Sequence, residues 1–205
     1  MAQLAIESLS THHVGPISLT IDEGQCAAIL GQSGSGKTLM LRAIADLDPH
    51  KGDVFLDGKP SDRFQPPQWH KEVGLLCAKP LWWHDTVGEH FTLANDPQME
   101  HCLSQWLSQL NLVNDIMSWP IQRLSTGEQQ RLALLRLLMN QPKVLLLDEP
   151  SASLDEKNTD RVEVLIKQYQ RERQTAILWI THDIKQAQRV ADHIYNLEQG
   201  SLTLT

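Results

Sequence analysis

The stretch that decides the fold is Gly31-Gln32-Ser33-Gly34-Ser35-Gly36-Lys37-Thr38, which fits the pattern G-x-x-x-x-G-K-[ST]. It directly follows the apolar run Cys26 to Leu30 and precedes a helical pattern from Leu39 to Leu47. A glycine-rich loop in this position turns its backbone N–H groups towards one point, and the helix N-terminus adds a positive field there. The stretch therefore predicts a phosphate-binding loop, in which Lys37 contacts the β- and γ-phosphates and the Thr38 hydroxyl binds Mg²⁺. A chance glycine-rich turn is the alternative, and the flanking strand and helix argue against it.

Two further apolar runs, Val144 to Leu147 and Thr175 to Ile180, resemble Cys26 to Leu30 in lacking polar alternation. Such runs are typical of strands in a parallel sheet that helices cover on both faces. Each is followed by a polar loop and then a helical pattern, and ligands of open parallel sheets bind beyond the carboxyl ends of the strands. The sequence therefore predicts an α/β fold with a mostly parallel core sheet and a binding site at one edge.

Two smaller parts surround this core. Alternating or apolar segments at Leu4 to Glu7, Ile17 to Ile21 and Asp53 to Leu56, with a hairpin signal at Asp57-Gly58, predict an N-terminal antiparallel β subdomain. The helical pattern from about Glu89 to Met117, broken at Asp96-Pro97, predicts a helical subdomain, which we place at about residues 79–139. We expect one domain over residues 1–205.

The composition excludes several classes of protein. The 205 residues carry a formal net charge of -7 without a long basic run, so no nucleic acid is expected as a partner. Cys26, Cys77 and Cys102 lack the spacing of a disulfide framework or a zinc site, which favours a reducing cytoplasm. The segment Met1 to Glu7 does not resemble a secretion signal, and no apolar stretch is long enough to cross a membrane. If the protein serves a membrane process, another chain must cross the bilayer.

The run Val144 to Leu147 ends in two acids, Asp148 and Glu149. Buried acids need a positive or hydrogen-bonding partner, and Mg²⁺ bound to a nucleotide supplies one. We interpret Asp148 as a metal-holding residue and Glu149 as the group that orients or deprotonates the attacking water. The alternative is a helix N-cap with a neighbouring charge, since Asp155 also fits an N-cap.

Four further motifs occur in a characteristic order: Leu124-Ser125-Thr126-Gly127-Glu128-Gln129-Gln130-Arg131, Asp148-Glu149-Pro150, Ser151-Ala152-Ser153-Leu154-Asp155 and Thr181-His182-Asp183. With the phosphate loop, they resemble the nucleotide-binding domains of ATP-binding-cassette (ABC) proteins over nearly the whole chain. The resemblance implies a P-loop NTPase fold that binds ATP and Mg²⁺ and hydrolyses ATP to ADP and phosphate. It identifies the loop from Gly31 to Thr38, including Gln32, Ser33 and Ser35, as the nucleotide-binding segment.

The same resemblance implies that the chain acts as a head-to-tail homodimer with two ATP molecules between its subunits. Ser125, Gly127 and Glu128 would cap the ATP held by the opposite subunit, and Asp155 would touch that subunit. His182 would contact the γ-phosphate and Glu149, which makes Glu149 and His182 the expected catalytic residues. Independently of the family, Ser125 and Glu128 fit the N-cap and third helical residue of a capping box.

Four features depart from the family pattern. The signature motif carries Thr126 in place of a glycine and Glu128 in place of a glutamine. Where the family has a Mg²⁺-sensing glutamine, this chain has Ala78 or, with a shift of one position, Lys79. Either the Mg²⁺ contact is lost, or Lys79 reaches the phosphate region and compensates for the missing amide. The family usually has an adenine-stacking aromatic residue between its first two strands. The corresponding segment here, Ser8 to Pro16, offers only the rings of His12 and His13, either of which could stack on the base or lie in a solvated turn.

Trp82-Trp83-His84 lies where transporter members of the family receive a helix from the membrane subunit. Burial of these side chains against the helical subdomain is the simpler interpretation, and docking of a membrane subunit is our hypothesis for them. The resemblance thus implies the ATPase subunit of an ABC transporter, bound to a separate transmembrane permease at the cytoplasmic face of the cell membrane. The motifs are most similar to those of short subunits of iron-efflux systems. A non-transport ABC ATPase that acts on ribosomes or DNA is the other interpretation.

Overall fold

A computed structural model describes residues 4–91 and 97–205. Its strands are β1 (Leu4–Thr11), β2 (Val14–Ile21), β3 (Cys26–Leu30), β4 (Lys51–Leu56), β5 (Lys59–Pro60), β6 (Val73–Leu76), β7 (Val144–Asp148), β8 (Ala176–Ile180), β9 (His193–Glu198) and β10 (Ser201–Leu204). Its α-helices are α1 (Lys37–Ile44), α2 (Pro66–Glu72), α3 (Pro97–Gln109), α4 (Thr126–Leu138), α5 (Glu156–Arg173) and α6 (Ile184–Val190). Short 3-10 turns connect several of them.

The strands form two sheets. The first is antiparallel, in the order β2-β1-β4-β5, and the hairpin between β4 and β5 turns at the predicted Asp57-Gly58. The second has the order β10-β9-β3-β8-β7-β6, and all its pairings are parallel except that of β9 with β10. Both the antiparallel β subdomain and the mostly parallel core sheet are confirmed. The carboxyl ends of β3, β8 and β7 therefore lie side by side.

The core strands are apolar on both faces because each face has its own hydrophobic core. In β7, Val144 and Leu146 pack with α1 and the antiparallel sheet, whereas Leu145 and Leu147 pack with α3, α4 and α5. Side chains alternate between the faces of a strand, so a sheet covered on both sides needs apolar residues at every position. This explains why the sequence runs showed no alternation.

The helical part is less continuous than its sequence pattern indicated. Among the described residues between Glu89 and Met117, α3 is the one α-helix, and 3-10 turns at Gly88–His90 and Asn114–Ser118 lie on either side of it. Leu103 and Leu107 on α3 join the core beneath α4 and α5. Of the predicted break at Asp96-Pro97, Asp96 lies outside the described residues, and Pro97 is the first residue of α3. The helix expected up to Leu47 ends at Ile44, because Asp46 takes a left-handed conformation with φ of 55°.

Candidate nucleotide site

The loop between β3 and α1 has a backbone that glycine alone adopts without strain. Gly36 has φ of 98°, and a Cβ atom there would lie 2.1 Å from a methyl group of Val14. At Gly31, with φ of 148°, a Cβ atom would lie 2.5 Å from the Leu197 carbonyl oxygen. Since α1 has no acidic residue in its first turn, nothing on the helix repels an anion at its N-terminus.

Lys37 is the first residue of α1, and its side chain turns back onto this loop. Its ammonium donates hydrogen bonds to the carbonyl oxygens of Gly31 at 2.7 Å and Gln32 at 2.9 Å, and the residue is only 7% exposed. Burial lowers the pKa of Lys37, while the nearby Glu149 and Asp148 act in the opposite direction. Ser35 also faces inward, with a buried hydroxyl that has no partner among the described residues. A phosphate group would provide the acceptors that both side chains need.

Asp148 ends β7 beside this loop. Its Oδ2 accepts a hydrogen bond of 2.8 Å from the Thr38 hydroxyl. Burial raises the pKa of Asp148, although the hydrogen bonds from Thr38 and from the backbone N–H of Ala78 act against that shift. A hydroxyl and a carboxylate are hard oxygen donors of the kind that Mg²⁺ takes beside substrate phosphates. Thr38 and Asp148 therefore fit a Mg²⁺ site.

Glu149 and His182 follow the neighbouring strands β7 and β8. His182 Nδ1 lies 3.5 Å from Glu149 Oε1, and both side chains keep access to solvent. Glu149 has φ of 47°, an unfavourable value for a long side chain, and its N–H donates to the Ile180 carbonyl oxygen at 3.1 Å. The two expected catalytic side chains are thus brought together, as the sequence predicted.

Ser125 caps α4, and the predicted capping box is present. The Ser125 hydroxyl donates to Glu128 Oε2 at 2.7 Å, and the Ser125 backbone N–H donates to the same oxygen at 2.9 Å. Burial raises the pKa of Glu128, but the two hydrogen bonds from Ser125 and the charges of Arg131 and Arg123 together lower it. Gly127 packs closely against the following loop, since a Cβ atom there would lie 3.1 Å from Leu154.

Arg131 joins this helix to the rest of the domain, a role that we did not predict. Its guanidinium donates to the carbonyl oxygens of Gly127 and Leu110 and to Asn158 Oδ1. Asn158 in turn donates to both carboxylate oxygens of Asp155, the confirmed N-cap of α5. The spacing of Gly127 and Arg131 by one helical turn was visible in the sequence, whereas the contacts with Asn158 and Leu110 were not.

The sequence left two choices open, between Ala78 and Lys79 and between His12 and His13, and the structure distinguishes the members of each pair. Ala78, rather than the exposed Lys79, contributes the N–H that reaches Asp148, and its methyl group cannot replace an amide. His13 Nε2 lies 3.4 Å from the position of a Cβ atom on Gly36, so His13 borders the phosphate loop. His12 occupies the exposed tip of the turn, with φ of 50°.

A phosphate loop, a hydroxyl and a carboxylate that fit Mg²⁺, and a Glu–His pair lie at the carboxyl ends of β3, β7 and β8, and together they define a P-loop nucleotide hydrolase. Comparison with known sequences narrows this class. The family described as ABC transporter matches residues 14–152, and the chain belongs to this family. Its ATP-binding domains are ATPases, and this chain is an ABC transporter ATPase subunit.

Two curated relatives and one solved structure illustrate the similarity. The chain is 35% identical over 188 residues to the aliphatic sulfonates import ATP-binding protein SsuB of Corynebacterium glutamicum, covering 91% of this chain and 74% of that protein. It is 33% identical over 187 residues to the probable iron export ATP-binding protein FetA of Escherichia coli, covering 89% and 83%. The structure of cbiO1 from Clostridium perfringens, part of the ABC transporter complex cbiONQ, superimposes with a TM-score of 0.81 at 26% identity, covering 98% and 86%.

Proposed function

We propose that this subunit drives solute transport through a separate membrane protein, and that two copies of it hold two ATP molecules between them. The observation that carries the proposal is the convergence of Lys37, Thr38, Asp148, Glu149 and His182 at one edge of the core sheet. This half-site can bind and hydrolyse a nucleotide. Ser125 and Gly127 lie at the start of a different helix, where they are available to a second subunit.

Each side chain has a chemical task in this proposal. Lys37 leaves the carbonyl oxygens of its own loop and neutralises the β- and γ-phosphates. Glu149 accepts a proton from the attacking water, and His182, 3.5 Å away, fixes the position of that carboxylate. A Mg²⁺ ion held by Thr38 and Asp148 would supply charge neutralisation at the phosphates.

The substitution Glu149→Gln tests the hydrolytic assignment, because it keeps the shape of the side chain and removes its basicity. We expect turnover of the purified chain to fall about 100-fold or more while ATP binding is retained. Glu156→Gln, at the exposed start of α5, is the matched control and should keep its turnover. Turnover of Glu149→Gln at the level of this control would refute the role of Glu149.

For docking, the supporting feature is an exposed apolar surface formed by Leu81 and Trp83, which are 78% and 65% exposed. It begins three residues after Ala78. Arg136 of α4 holds it through contacts with the rings of Trp82 and Trp83 and a hydrogen bond to the Leu81 carbonyl oxygen. Trp82 itself packs partly against the helical core. We infer that the membrane subunit binds this surface and so keeps the chain at the inner face of the membrane. No helix within residues 4–91 and 97–205 is long and apolar enough to cross a bilayer.

Affinity purification of the tagged chain from detergent-solubilised membranes tests the docking proposal. Trp83→Ala should reduce recovery of a membrane protein at least about five-fold while ATP binding is unchanged. Val164→Ala, at an exposed apolar residue on α5, is the control. Unchanged recovery with Trp83→Ala would contradict the docking surface, and co-purification of ribosomes or DNA instead of a membrane protein would support the non-transport interpretation.

The relatives differ in the cargo that their names state. The motif similarity led us to propose iron efflux, and the name of the Escherichia coli relative supports it, whereas the sulfonate import relatives support uptake of an organic anion. Deletion of the gene distinguishes these two proposals. Greater sensitivity to iron would support efflux, and loss of growth on an alkanesulfonate as the sulfur source would support import.

A further inference from the structure

The turn that carries Glu149 needs support from its surroundings. The φ of 47° at Glu149 is unfavourable for a residue with a Cβ atom, so it persists only where neighbouring contacts enforce it. Within the turn, the N–H of Ala152 donates to the Glu149 carbonyl oxygen at 3.1 Å. The side chain of Ser151, two residues after Glu149, accepts a hydrogen bond from a residue outside the turn.

Gln186 of α6 makes that contact. Its amide nitrogen donates to Ser151 Oγ at 2.8 Å and to Glu163 Oε1 at 2.9 Å. A carboxylate only accepts hydrogen bonds, so the chemistry of Glu163 fixes which end of the amide faces it. Gln186 and Glu163 are 5% and 7% exposed, which makes these hydrogen bonds stronger than similar ones at the surface.

Glu163 is itself held in place. Arg189 donates to Oε2 from Nε at 3.0 Å and to Oε1 from Nη2 at 2.7 Å, a paired arrangement in which both carboxylate oxygens are engaged. Arg189 lies on α6, as Gln186 does, whereas Glu163 lies on α5. The hydrogen bond to Glu163 of α5 therefore fixes the orientation of the Gln186 amide that donates to Ser151.

The contact lies next to the catalytic pair. Gln186 and Ser151 line a cavity of about 170 Å³ together with Glu149, Thr181 and His182. A displacement of Ser151 would pass to Glu149 two residues earlier, and α6 begins two residues after His182. Gln186 thus contacts the turn that carries Glu149, and it lies on the helix that follows His182.

We propose that Gln186 is a positioning residue for ATP hydrolysis, which holds Ser151 and with it the strained turn at Glu149 against His182. This inference rests on the proposed role of Glu149. The side-chain hydrogen bonds of Gln186 go to Ser151 and Glu163, and none goes to the phosphate loop of residues 31–38. Loss of this amide should therefore affect the chemical step and leave ATP binding intact.

Steady-state ATPase kinetics of Gln186→Leu provide the test. Leucine keeps the volume and removes the amide, while Glu163 keeps Arg189 as its partner, so the domain should still fold. We expect kcat to fall about ten-fold with KM for ATP changed less than about two-fold. Gln188→Leu, at an exposed position of the same helix, is the matched control. Wild-type kcat in Gln186→Leu, or a fall in kcat that comes with an equal rise in KM, would overturn the proposal.

Hydrogen exchange of the nucleotide-free chain provides a second measurement that does not depend on turnover. Amides of residues 149–155 should exchange about ten-fold faster in Gln186→Leu than in Gln188→Leu, with other segments unchanged. Equal exchange in this segment would overturn the network. The two proposals can fail independently. Full turnover in Glu149→Gln would refute the catalytic role of Glu149, whereas the exchange rates alone decide whether Gln186 holds the turn.

Discussion

The hydroxyl of Thr38 donates a hydrogen bond of 2.8 Å to the Asp148 carboxylate, although the two residues are 110 positions apart in the chain. This contact joins the phosphate loop to the end of β7 and brings two oxygen ligands to the place where Mg²⁺ is expected. It depends on the parallel order β3-β8-β7, which sets the ends of separate strands beside one another.

Replacement of Thr38 by valine keeps the shape of the side chain and removes the hydroxyl. We expect the affinity for ATP in the presence of Mg²⁺ to fall about ten-fold, and the affinity measured in EDTA to change little, because only the metal contact is lost. Equilibrium binding of a fluorescent ATP analogue measures both. Thr20→Val on the exposed face of β2 serves as the control, and an equal loss with and without Mg²⁺ would contradict a metal-binding role.

Ala78 and Lys79 can be separated by substitution. Because the backbone N–H of Ala78 reaches Asp148 and Lys79 is exposed, we expect Lys79→Ala to keep turnover within about two-fold. Ala78→Gln should lower the Mg²⁺ concentration needed for half-maximal ATPase activity, since it places an amide oxygen beside the site. Weaker hydrolysis in Lys79→Ala would instead support compensation by that lysine.

Ser125→Ala removes the N-cap side chain of α4 and, in our proposal, a contact with the ATP that the second subunit holds. We expect the free energy of unfolding to fall by about 1 kcal/mol in denaturant titrations. We also expect loss of the ATP-dependent dimer in analytical ultracentrifugation. Glu128→Gln is the comparison, because glutamine also completes a capping box and should keep most of the stability. A Ser125→Ala variant that dimerises with ATP as the wild type does would argue against a role in capping.

His13→Ala should weaken ATP binding about five-fold or more, since base stacking on a ring contributes on the order of 1–3 kcal/mol. His12→Ala is the matched control at the exposed tip of the same turn. Isothermal titration calorimetry measures both affinities. A larger effect at His12 would reverse this assignment.

His90 predicts a dependence of stability on pH. The residue is only 5% exposed. Its Nε2 accepts hydrogen bonds from the backbone N–H groups of Trp83 at 2.9 Å and His84 at 3.0 Å. Its Nδ1 lies 3.0 Å from the Thr86 carbonyl oxygen. Burial lowers the pKa of His90 below its ordinary value of 6.5; Thr86 and Glu89 act in the opposite direction, whereas Arg136 and His84 add to the lowering.

A histidine with a lowered folded-state pKa is protonated more readily in the unfolded chain. Its contribution to stability is therefore complete above about pH 6.5 and declines as the pH falls through that value towards the folded-state pKa. Thermal unfolding between pH 7.5 and 5 should show this decline in the wild type and a smaller one in His90→Gln. His70→Gln, at an exposed histidine, is the control. An unchanged pH profile in His90→Gln would refute the prediction.

The sequence by itself determined the features that depend on local pattern. The phosphate loop needs glycines at fixed spacing, the core strands need apolar residues on both faces, and the cap at Ser125 needs Glu128 three positions later. Each of these requirements is met within one short segment, so each can be recognised from the amino-acid sequence alone. The same order of motifs was sufficient to recognise the ABC family.

Only the tertiary structure decided which side chains from distant segments meet. It placed Ala78 rather than Lys79 at Asp148, and His13 rather than His12 beside the phosphate loop. It also joined Gln186 to Ser151 and Glu163. These contacts depend on the order of the strands and on the packing of α5 against α6, which no single segment specifies. Side-chain hydrogen bonds form over about 3 Å, so a shift of one residue in register would remove them.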